Sequence, residues 1–325
     1  MYIEELKFSL WADFIEREYL DGEFRELIDK GIINGATSNP AIFKNAILNS
    51  KAYKEQLSTL SGDAKSKYEA LAIYDIQKAA DILKPLYERG NDGYVSIEVD
   101  PNLCDDAKGT IEEGLRLYKM IDRENVMIKV PATKAGYEAM EALTASSIPV
   151  NATLVFKKEQ ALACATAFAK GAKRATSVAD TVISVFVSRI DRALDPLLKE
   201  KGLTPGVTGI YNSSLIYEAI EEMQVPKCRT LFASTGVKGD DYPPHYYIEN
   251  LLAYHSVNTA PVDTIKAYVT NGKKAKALPI DPTKIKEHFD TIASIGIDLE
   301  AELDKQIADG LEAFKVAFKE IMESI

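Results

Sequence analysis

Short apolar runs that are typical of β-strands alternate with longer helical stretches along the whole sequence. The stretches at 65–90, 106–122 and 158–172 carry apolar residues at helical spacing. The strand-like runs lie near residues 7–13, 32–38, 94–100, 126–132, 148–156, 181–188, 229–235 and 256–261. Repeated alternation of this kind predicts parallel βα units, because parallel strands need a crossover connection that is usually a helix.

Eight such units predict a (β/α)8 barrel, or TIM barrel, of the α/β class with additional helices. Such barrels run to about 250 residues as one domain. We therefore expect residues 1–325 to form a single barrel domain with a C-terminal helical extension over 299–324. A doubly wound open sheet is the structural alternative. It is disfavoured because no glycine-rich dinucleotide fingerprint follows the first strand.

Charge and cysteine content restrict the classes of partner. The formal net charge of −10 disfavours binding to nucleic acid or to anionic membranes. The first residues include acids where a signal peptide has a basic region, and no apolar stretch is long enough to span a bilayer. Three widely spaced cysteines, with no CxxC pair, suggest neither a disulfide framework nor a zinc site, and they predict a reducing cytoplasm.

Polar residues fall on the predicted inner face of neighbouring strands. Lys129 interrupts the apolar run "VMIKVPAT", and it faces away from its apolar neighbours because successive strand residues point to opposite sides. The same alternation turns Glu98, Asn151 and Thr153 inward on the two flanking strands. Further polar or aromatic positions on the inner face or at strand ends are Asp13, Thr37, Asn39, Ser184 and Phe186.

Each of these residues alone has an ordinary structural explanation. A lone strand lysine usually extends its charged end to solvent, and Glu98 beside it would simply form an ion pair. Asp13 would cap a helix, Asn39 before Pro40 would form a turn, and Thr153 would be an ordinary strand residue. Their joint placement favours a functional site, because barrel enzymes carry their sites at the carboxyl ends of the strands.

The chemistry that best fits these residues is covalent catalysis by an amine. His245, His255 and His288 lack metal-ligand spacing, so we expect no metal. A lysine in a poorly solvated pocket can have its pKa lowered from about 10.4 towards about 7–8, and it then forms a Schiff base with a ketone. The protonated imine permits aldol cleavage, for which Glu98 and Asp13 would carry protons.

Two later segments suggest a phosphate site. Arg189 follows the sixth strand, and "ASTGVK" after the seventh strand offers Ser234, Lys238 and backbone amides around Gly236. Loops after late barrel strands often hold phosphate. The ordinary alternative is an ion pair between Arg189 and a nearby aspartate.

Taken in order, these motifs resemble the transaldolase family. The matching segments are SLWADFIERE, NGATSNPAIF, VSIEVDP, NVMIKVPAT, VNATLVF, ISVFVSRID, LFASTGVK and VNTAP. They cover nearly the whole barrel and are most similar to the longer bacterial transaldolases, which have a TSNPxIF segment and an ASTG-type phosphate loop. The resemblance implies a Schiff-base barrel enzyme that acts on sugar phosphates and needs no cofactor.

The resemblance also implies roles for the matching positions. Lys129 would be the Schiff-base lysine. Glu98 would work with Thr153 through a water molecule during imine formation and breakdown, and Asp13 would exchange the proton of the substrate hydroxyl during cleavage. The residues implied to hold the dihydroxyacetone unit or the phosphate are Thr37, Asn39, Asn151, Ser184, Arg189 and Ser234.

The sequence departs from the family pattern at one position and is informative at another. Many transaldolases have an arginine two residues after the serine that matches Ser234, where this chain has Gly236; Lys238 would supply the charge as a point charge rather than a fork. Phe186 matches transaldolases, whereas the sibling fructose-6-phosphate aldolases typically have a tyrosine there. A phenylalanine favours transfer to a second aldehyde over hydrolysis.

The expected function is therefore a transaldolase of the pentose phosphate pathway. It would move a dihydroxyacetone unit from sedoheptulose 7-phosphate or fructose 6-phosphate to glyceraldehyde 3-phosphate or erythrose 4-phosphate. The alternatives are a fructose-6-phosphate aldolase and a sugar-phosphate-binding barrel without activity. The apolar C-terminal positions Leu311, Phe314, Val316 and Phe318 would pack on the barrel or on a partner, so we expect a monomer or a homodimer.

Overall fold

The structure is a computed structural model that describes residues 2–325, and its strands form one closed barrel. Each strand pairs in parallel with the next one along the chain, and the first also pairs with the eighth. The strands are β1 (Ser9–Ala12), β2 (Gly35–Thr37), β3 (Tyr94–Glu98), β4 (Val126–Pro131), β5 (Val150–Val155), β6 (Thr181–Phe186), β7 (Cys228–Ala233) and β8 (Ser256–Ala260). The predicted (β/α)8 barrel is confirmed, and the open-sheet alternative is wrong.

Within residues 2–325, fourteen α-helices accompany the barrel. They are α1 (Arg17–Asp21), α2 (Glu23–Asp29), α3 (Pro40–Asn49), α4 (Ala52–Thr59), α5 (Ala64–Glu88), α6 (Ala107–Ile121), α7 (Lys134–Ala145), α8 (Lys158–Arg174), α9 (Ser188–Glu200), α10 (Thr208–Glu222), α11 (Tyr246–Asn250), α12 (Val262–Asn271), α13 (Pro282–Ser294) and α14 (Leu299–Ser324). Over the same residues, no helix combines the length and apolar character that a membrane span requires.

All eight predicted strands and the three predicted helical stretches are present, with ends that differ by a few residues. The last predicted strand, near 256–261, had the weakest pattern, yet β8 pairs with both β7 and β1. Several helices begin where the sequence places a capping side chain. The side chains of Asp63, Asp106, Thr133 and Asp298 accept a hydrogen bond from the backbone N–H three residues later.

The strand alternation sorts side chains into two layers. Outward positions such as Ile97, Ile128 and Val130 are buried in the core between the strands and the helices. Inward positions such as Met127 and Leu231 belong to a second cluster, the inner cluster, which occupies the barrel interior and extends to residues of α9, α13 and α14. The inner cluster fills the barrel as a packed core.

Leu154 breaks this alternation, since a strict period of two residues would turn it outward together with Val150 and Ala152. The register between β5 and β6 shifts between Ala152 and Val155, and Leu154 has a φ of 59°. Leu154 joins the inner cluster, while Val155 joins the outer core. The cause is a bulge, which adds one residue to the strand and reverses the facing of the residues after it.

A buried ion pair sits inside the barrel among the aromatic side chains of the inner cluster. Arg229 Nη2 donates to Asp92 Oδ1 at 2.8 Å, and Trp11 Nε1 donates to Asp92 Oδ2 at 3.0 Å. The indole of Trp11 lies flat on Gly35, where a Cβ atom would come within 2.7 Å of the ring. Glycine is therefore required at position 35 for this packing.

The C-terminal helix α14 packs on its own barrel. Phe314 and Phe318 are each 5% exposed, whereas Val316 is 44% exposed. Packing on the barrel is thus confirmed for the two phenylalanines and for Leu311, which is partly buried against the inner cluster. Val316 faces outward, and for this residue the alternative of a partner stays a prediction.

Candidate active site

Lys129 lies on β4 inside the barrel, and its side chain is buried at 5% exposure. Its Nζ atom is 3.4 Å from Glu98 Oε2 and donates a hydrogen bond of 3.0 Å to the backbone carbonyl of Ser38. The ring centroid of Phe314 is 5.8 Å from the same nitrogen. The amine is therefore held between one carboxyl group, one carbonyl group and one aromatic ring.

The strand register explains why these groups meet. Glu98 on β3 is the partner of Lys129 on β4, and Lys129 is in turn the partner of Asn151 on β5. Partnered residues of parallel strands lie at the same level of a barrel, and alternation turns all three inward. The predicted grouping of these residues on the inner face is confirmed.

The Glu98 carboxyl group is set up to exchange a proton near neutral pH. Burial raises its pKa from 4.5 to about 7; the positive charge of Lys129 opposes this effect, and Asp13 adds to it. Within residues 2–325, neither carboxylate oxygen of Glu98 has a hydrogen-bond partner apart from the 3.4 Å approach of Lys129, and the Thr153 hydroxyl is also buried without one. These unpaired atoms are available to a small polar molecule.

Asp13 follows β1 and is held by Thr37, which is itself hydrogen-bonded to Thr259. Thr37 Oγ1 donates to Asp13 Oδ1 at 2.7 Å and lies 2.7 Å from Thr259 Oγ1. Because a hydroxyl has one proton to donate, Thr259 must be the donor to Thr37. Burial raises the pKa of Asp13 despite the lowering effects of Lys129 and the Thr37 hydrogen bond, so its carboxylate is a stronger base than usual.

Ser184 and Asn151 are joined by hydrogen bonds within the barrel. Ser184 Oγ donates to Asn151 Oδ1 at 2.6 Å, and Asn151 Nδ2 donates to Ser96 Oγ at 3.1 Å. Asn39 plays a structural part as well, since its Oδ1 accepts from the Ile42 amide at the start of α3. The turn expected from Asn39-Pro40 and the site role are therefore compatible, because the amide NH₂ of Asn39 is not used by the cap.

Most of these side chains line one cavity of about 170 Å³ at the carboxyl ends of the barrel strands. The predicted residues that line it are Asp13, Thr37, Asn39, Lys129, Thr153, Ser184, Phe186, Arg189 and Ser234. Glu98 and Asn151 do not line it, although Glu98 touches Lys129 and Asn151 bonds to Ser184. A wider cleft of about 400 Å³ lies among outer helices, but its charged residues Lys78 and Arg123 pair with surface aspartates.

Arg189 and Ser234 form the basic end of the cavity. The Arg189 guanidinium carbon is 5.4 Å from the ring centroid of Phe186. Burial and the nearby charge of Arg192 lower the pKa of Arg189. Ser234 has a φ of 55° and its hydroxyl is 3.1 Å from Ser188 Oγ. A half-buried cation beside a hydroxyl suits an anionic group of a ligand.

Lys238 is the predicted site residue that the structure does not bring to this cavity. It is exposed and lines a neighbouring cavity together with Arg192 and Ser188. Ser188 lines this neighbouring cavity, Ser234 lines the cavity that contains Lys129, and the hydrogen bond between their hydroxyls lies between the two. At Gly236, a Cβ atom would lie 3.1 Å from Pro261 Cγ, so a larger side chain at that position would crowd Pro261, which directly follows β8.

Sequence reasoning missed Thr259 and Phe314, which both line the cavity. Thr259 was detectable, because it follows Val257 of the inner cluster by two residues in a strand. Phe314 comes from α14, and no local pattern places a helix residue more than 180 positions away beside Lys129. Among residues 2–325, no cluster of three or more His, Cys, Asp or Glu side chains suits a metal ion.

Comparison with known proteins agrees with this geometry. A family model described as Transaldolase/Fructose-6-phosphate aldolase matches residues 10–325. A transaldolase of Campylobacter jejuni subsp. jejuni serotype O:23/36 (strain 81-176) is 48% identical, over 98% of this chain and 99% of its own length. A transaldolase of Helicobacter pylori (strain Shi470) is 44% identical with the same coverage. The chain therefore belongs to the transaldolase/fructose-6-phosphate aldolase family.

Proposed function

We propose that this protein is a transaldolase that works through a Schiff base on Lys129. It transfers a dihydroxyacetone unit from sedoheptulose 7-phosphate or fructose 6-phosphate to glyceraldehyde 3-phosphate or erythrose 4-phosphate. The observation that carries the proposal is the buried Lys129 amine, 3.4 Å from a Glu98 carboxyl group whose pKa is raised to about 7, in a cavity with a cationic far end.

Imine formation begins when the neutral Lys129 amine attacks the C2 ketone of the donor sugar. The carbinolamine then loses water, which needs one proton delivered to the leaving hydroxyl. Glu98 is the proton carrier, acting with the Thr153 hydroxyl through a bound water molecule. Support comes from the buried, unpaired atoms of both side chains and from the near-neutral pKa of Glu98, which is suited to general acid–base catalysis.

Cleavage occurs next, at the bond between C3 and C4. Asp13 removes the proton of the C4 hydroxyl, the bond breaks, and its electrons pass to the protonated imine to give an enamine. Its raised pKa strengthens Asp13 as a base, and the Thr37 hydrogen bond holds one of its oxygens while leaving the other for substrate. Addition of the enamine to a second aldehyde reverses these steps.

The remaining residues hold the substrate. Asn39 and Ser184 bind the hydroxyl groups of the dihydroxyacetone unit, with Thr37 beside them. Asn151, which does not line the cavity, contributes through its hydrogen bond to Ser184. Arg189 and Ser234 bind the phosphate at the far end of the cavity. Lys238 adds a positive charge from the adjoining cavity.

We place the reaction in the pentose phosphate pathway and in the cytoplasm. The pathway follows from the proposed seven-carbon and four-carbon sugar phosphates. The location is supported by the free thiols of Cys104, Cys164 and Cys228, which persist in a reducing compartment. We treat residues 1–325 as one barrel domain, since α14 packs on the barrel that precedes it.

The test compares product formation with and without erythrose 4-phosphate, using fructose 6-phosphate as donor. Turnover should require the acceptor, should vanish in Lys129→Ala, and should persist in Lys134→Ala, which removes an exposed lysine five residues away. Equal turnover without the acceptor would favour a fructose-6-phosphate aldolase. Tight fructose 6-phosphate binding without any turnover would favour an inactive sugar-phosphate-binding barrel.

A further inference from the structure

Helix α14 covers the cavity that contains Lys129. Phe314 is the cavity-lining residue contributed by this helix, and its ring centroid is 5.8 Å from Lys129 Nζ. The ring is 5% exposed although it belongs to the last helix of the chain. It also belongs to the inner cluster, with Leu154 and Phe186. Phe314 is therefore an apolar cover over the reactive nitrogen.

The close approach of α14 depends on a glycine one turn before Phe314. A Cβ atom at Gly310 would lie 2.9 Å from Leu154 Cδ2 and 3.4 Å from Arg189 Nη1. Leu154 faces the helix because of the bulge in β5, where its φ is 59°. The bulge and the glycine together let α14 settle on the rim of the barrel.

Contacts on both sides of Phe314 hold the helix in this position. Near its start, Lys157 Nζ is 3.1 Å from Glu300 and 2.6 Å from Asp304. Near its end, Lys44 Nζ is 2.7 Å from Glu320. Ile321 is fully buried in the core between the barrel and the helices. These contacts seat α14 against the barrel on both sides of Phe314.

The proposed reaction needs such a cover at one stage. After cleavage, the three-carbon unit remains on Lys129 as an enamine, and it has two fates. It attacks the acceptor aldehyde, or it takes a proton on carbon to become an imine. That imine then adds water, and breaking of its C–N bond releases dihydroxyacetone and the free amine. Water at the nitrogen-bearing carbon is needed at the end of both fates, because the transfer product also leaves Lys129 by hydrolysis of an imine. The two fates separate earlier, when a proton reaches the enamine carbon, so keeping bulk water from that carbon favours transfer.

We infer that Phe314 is a specificity-determining residue that keeps water from protonating the enamine carbon of the intermediate on Lys129 and so favours transfer over release. This inference rests on the proposed function. Phe186 forms one wall of the same cavity, and Phe314 supplies the cover from a separate element.

The test measures the ratio of acceptor-free dihydroxyacetone release to transfer in variants of the full chain. Phe314→Ala should raise the ratio by roughly tenfold, as expected when the barrier to protonation of the enamine carbon by water falls by about 1.4 kcal/mol. Phe314→Leu, which keeps part of the bulk, should give an intermediate value. The matched control is Ile321→Ala, which removes buried apolar atoms from the same helix but does not line the cavity, and it should leave the ratio unchanged.

An unchanged ratio in folded Phe314→Ala would overturn the inference, as would an equal rise in Ile321→Ala. If Phe314→Ala does not fold, a ratio in Phe314→Leu equal to that of the wild type would overturn it instead. Loss of the cover should act on kcat for transfer more than on KM for the donor. If wild-type protein forms no reducible adduct on Lys129, the proposed function fails and the inference with it. A normal adduct with an unmoved ratio refutes the inference alone.

Discussion

Replacing Glu98 by glutamine should change how the stability of the protein depends on pH. Burial raises the pKa of Glu98 from 4.5 to about 7, and this value already includes the attraction of Lys129. Each unit of pKa shift corresponds to about 1.4 kcal/mol, so the ionised carboxylate costs the folded state about 3 kcal/mol relative to the neutral form. Glutamine has the same size and stays neutral at every pH.

The direction of the effect follows from proton linkage. The folded protein binds the Glu98 proton more tightly than the unfolded chain does, because the folded-state pKa is the higher one. The stabilisation is therefore fully present below about pH 4.5 and is lost as the pH rises through about 7. Glu98→Gln does not undergo this loss. The free energy of unfolding of Glu98→Gln minus that of wild type should thus increase by about 2–3 kcal/mol when the pH is raised from 5 to 8.

The assay is urea denaturation of both proteins at pH 5 and pH 8 at constant ionic strength. The control is Glu112→Gln on α6, whose side chain is 67% exposed. For this surface change the difference between the two pH values should stay within about 0.5 kcal/mol. A pH-independent difference between Glu98→Gln and wild type, or one of opposite sign, would show that the Glu98 carboxyl group does not sit in a poorly solvated site.

Three further substitutions test other parts of the structure. Asp13→Asn should reduce turnover by about 10²–10⁴-fold while the imine on Lys129 still forms; loss of imine formation in this variant would contradict the assigned step. Arg189→Met should raise KM for fructose 6-phosphate by about 10–100-fold, since it removes a charged hydrogen bond, and an unchanged KM would exclude Arg189 from the phosphate site. Asp92→Asn should lower the free energy of unfolding by about 3–5 kcal/mol, because it leaves the buried Arg229 charge uncompensated; chemical denaturation measures this, and a neutral effect would mean that the ion pair is dispensable.

The alternation of strands and helices along the chain was enough to predict the fold, and the period of two residues within each strand predicted much of the candidate site. The period of two residues is a local property of a strand, so the inward facing of Lys129, Glu98 and Asn151 followed from the sequence once the strands were recognised. The predicted ends of the first two strands brought Asp13 and Thr37 to the same end of the barrel, where Thr37 donates a hydrogen bond to Asp13.

The features that escaped prediction depend on irregular or distant contacts. The inward orientation of Leu154 does not follow from the period of two residues, because a bulge reverses the alternation and no residue type marks that bulge. Phe314 reaches Lys129 only through the packing of α14, and the pairing of Asp92 with Arg229 joins segments 137 residues apart. The position of Lys238 depends on the path of the loop after β7, which the sequence pattern does not determine.

The most direct test of the proposed mechanism is borohydride reduction of the protein in the presence of fructose 6-phosphate, followed by mass analysis of its peptides. The buried Lys129 amine, with Glu98 at 3.4 Å, should be the site of a stable adduct with the mass of the reduced sugar-derived unit. Wild type and Lys134→Ala should carry this adduct on the peptide that contains Lys129, and Lys129→Ala should carry none. An adduct on another lysine, or one that persists in Lys129→Ala, would contradict the Schiff-base mechanism at this site.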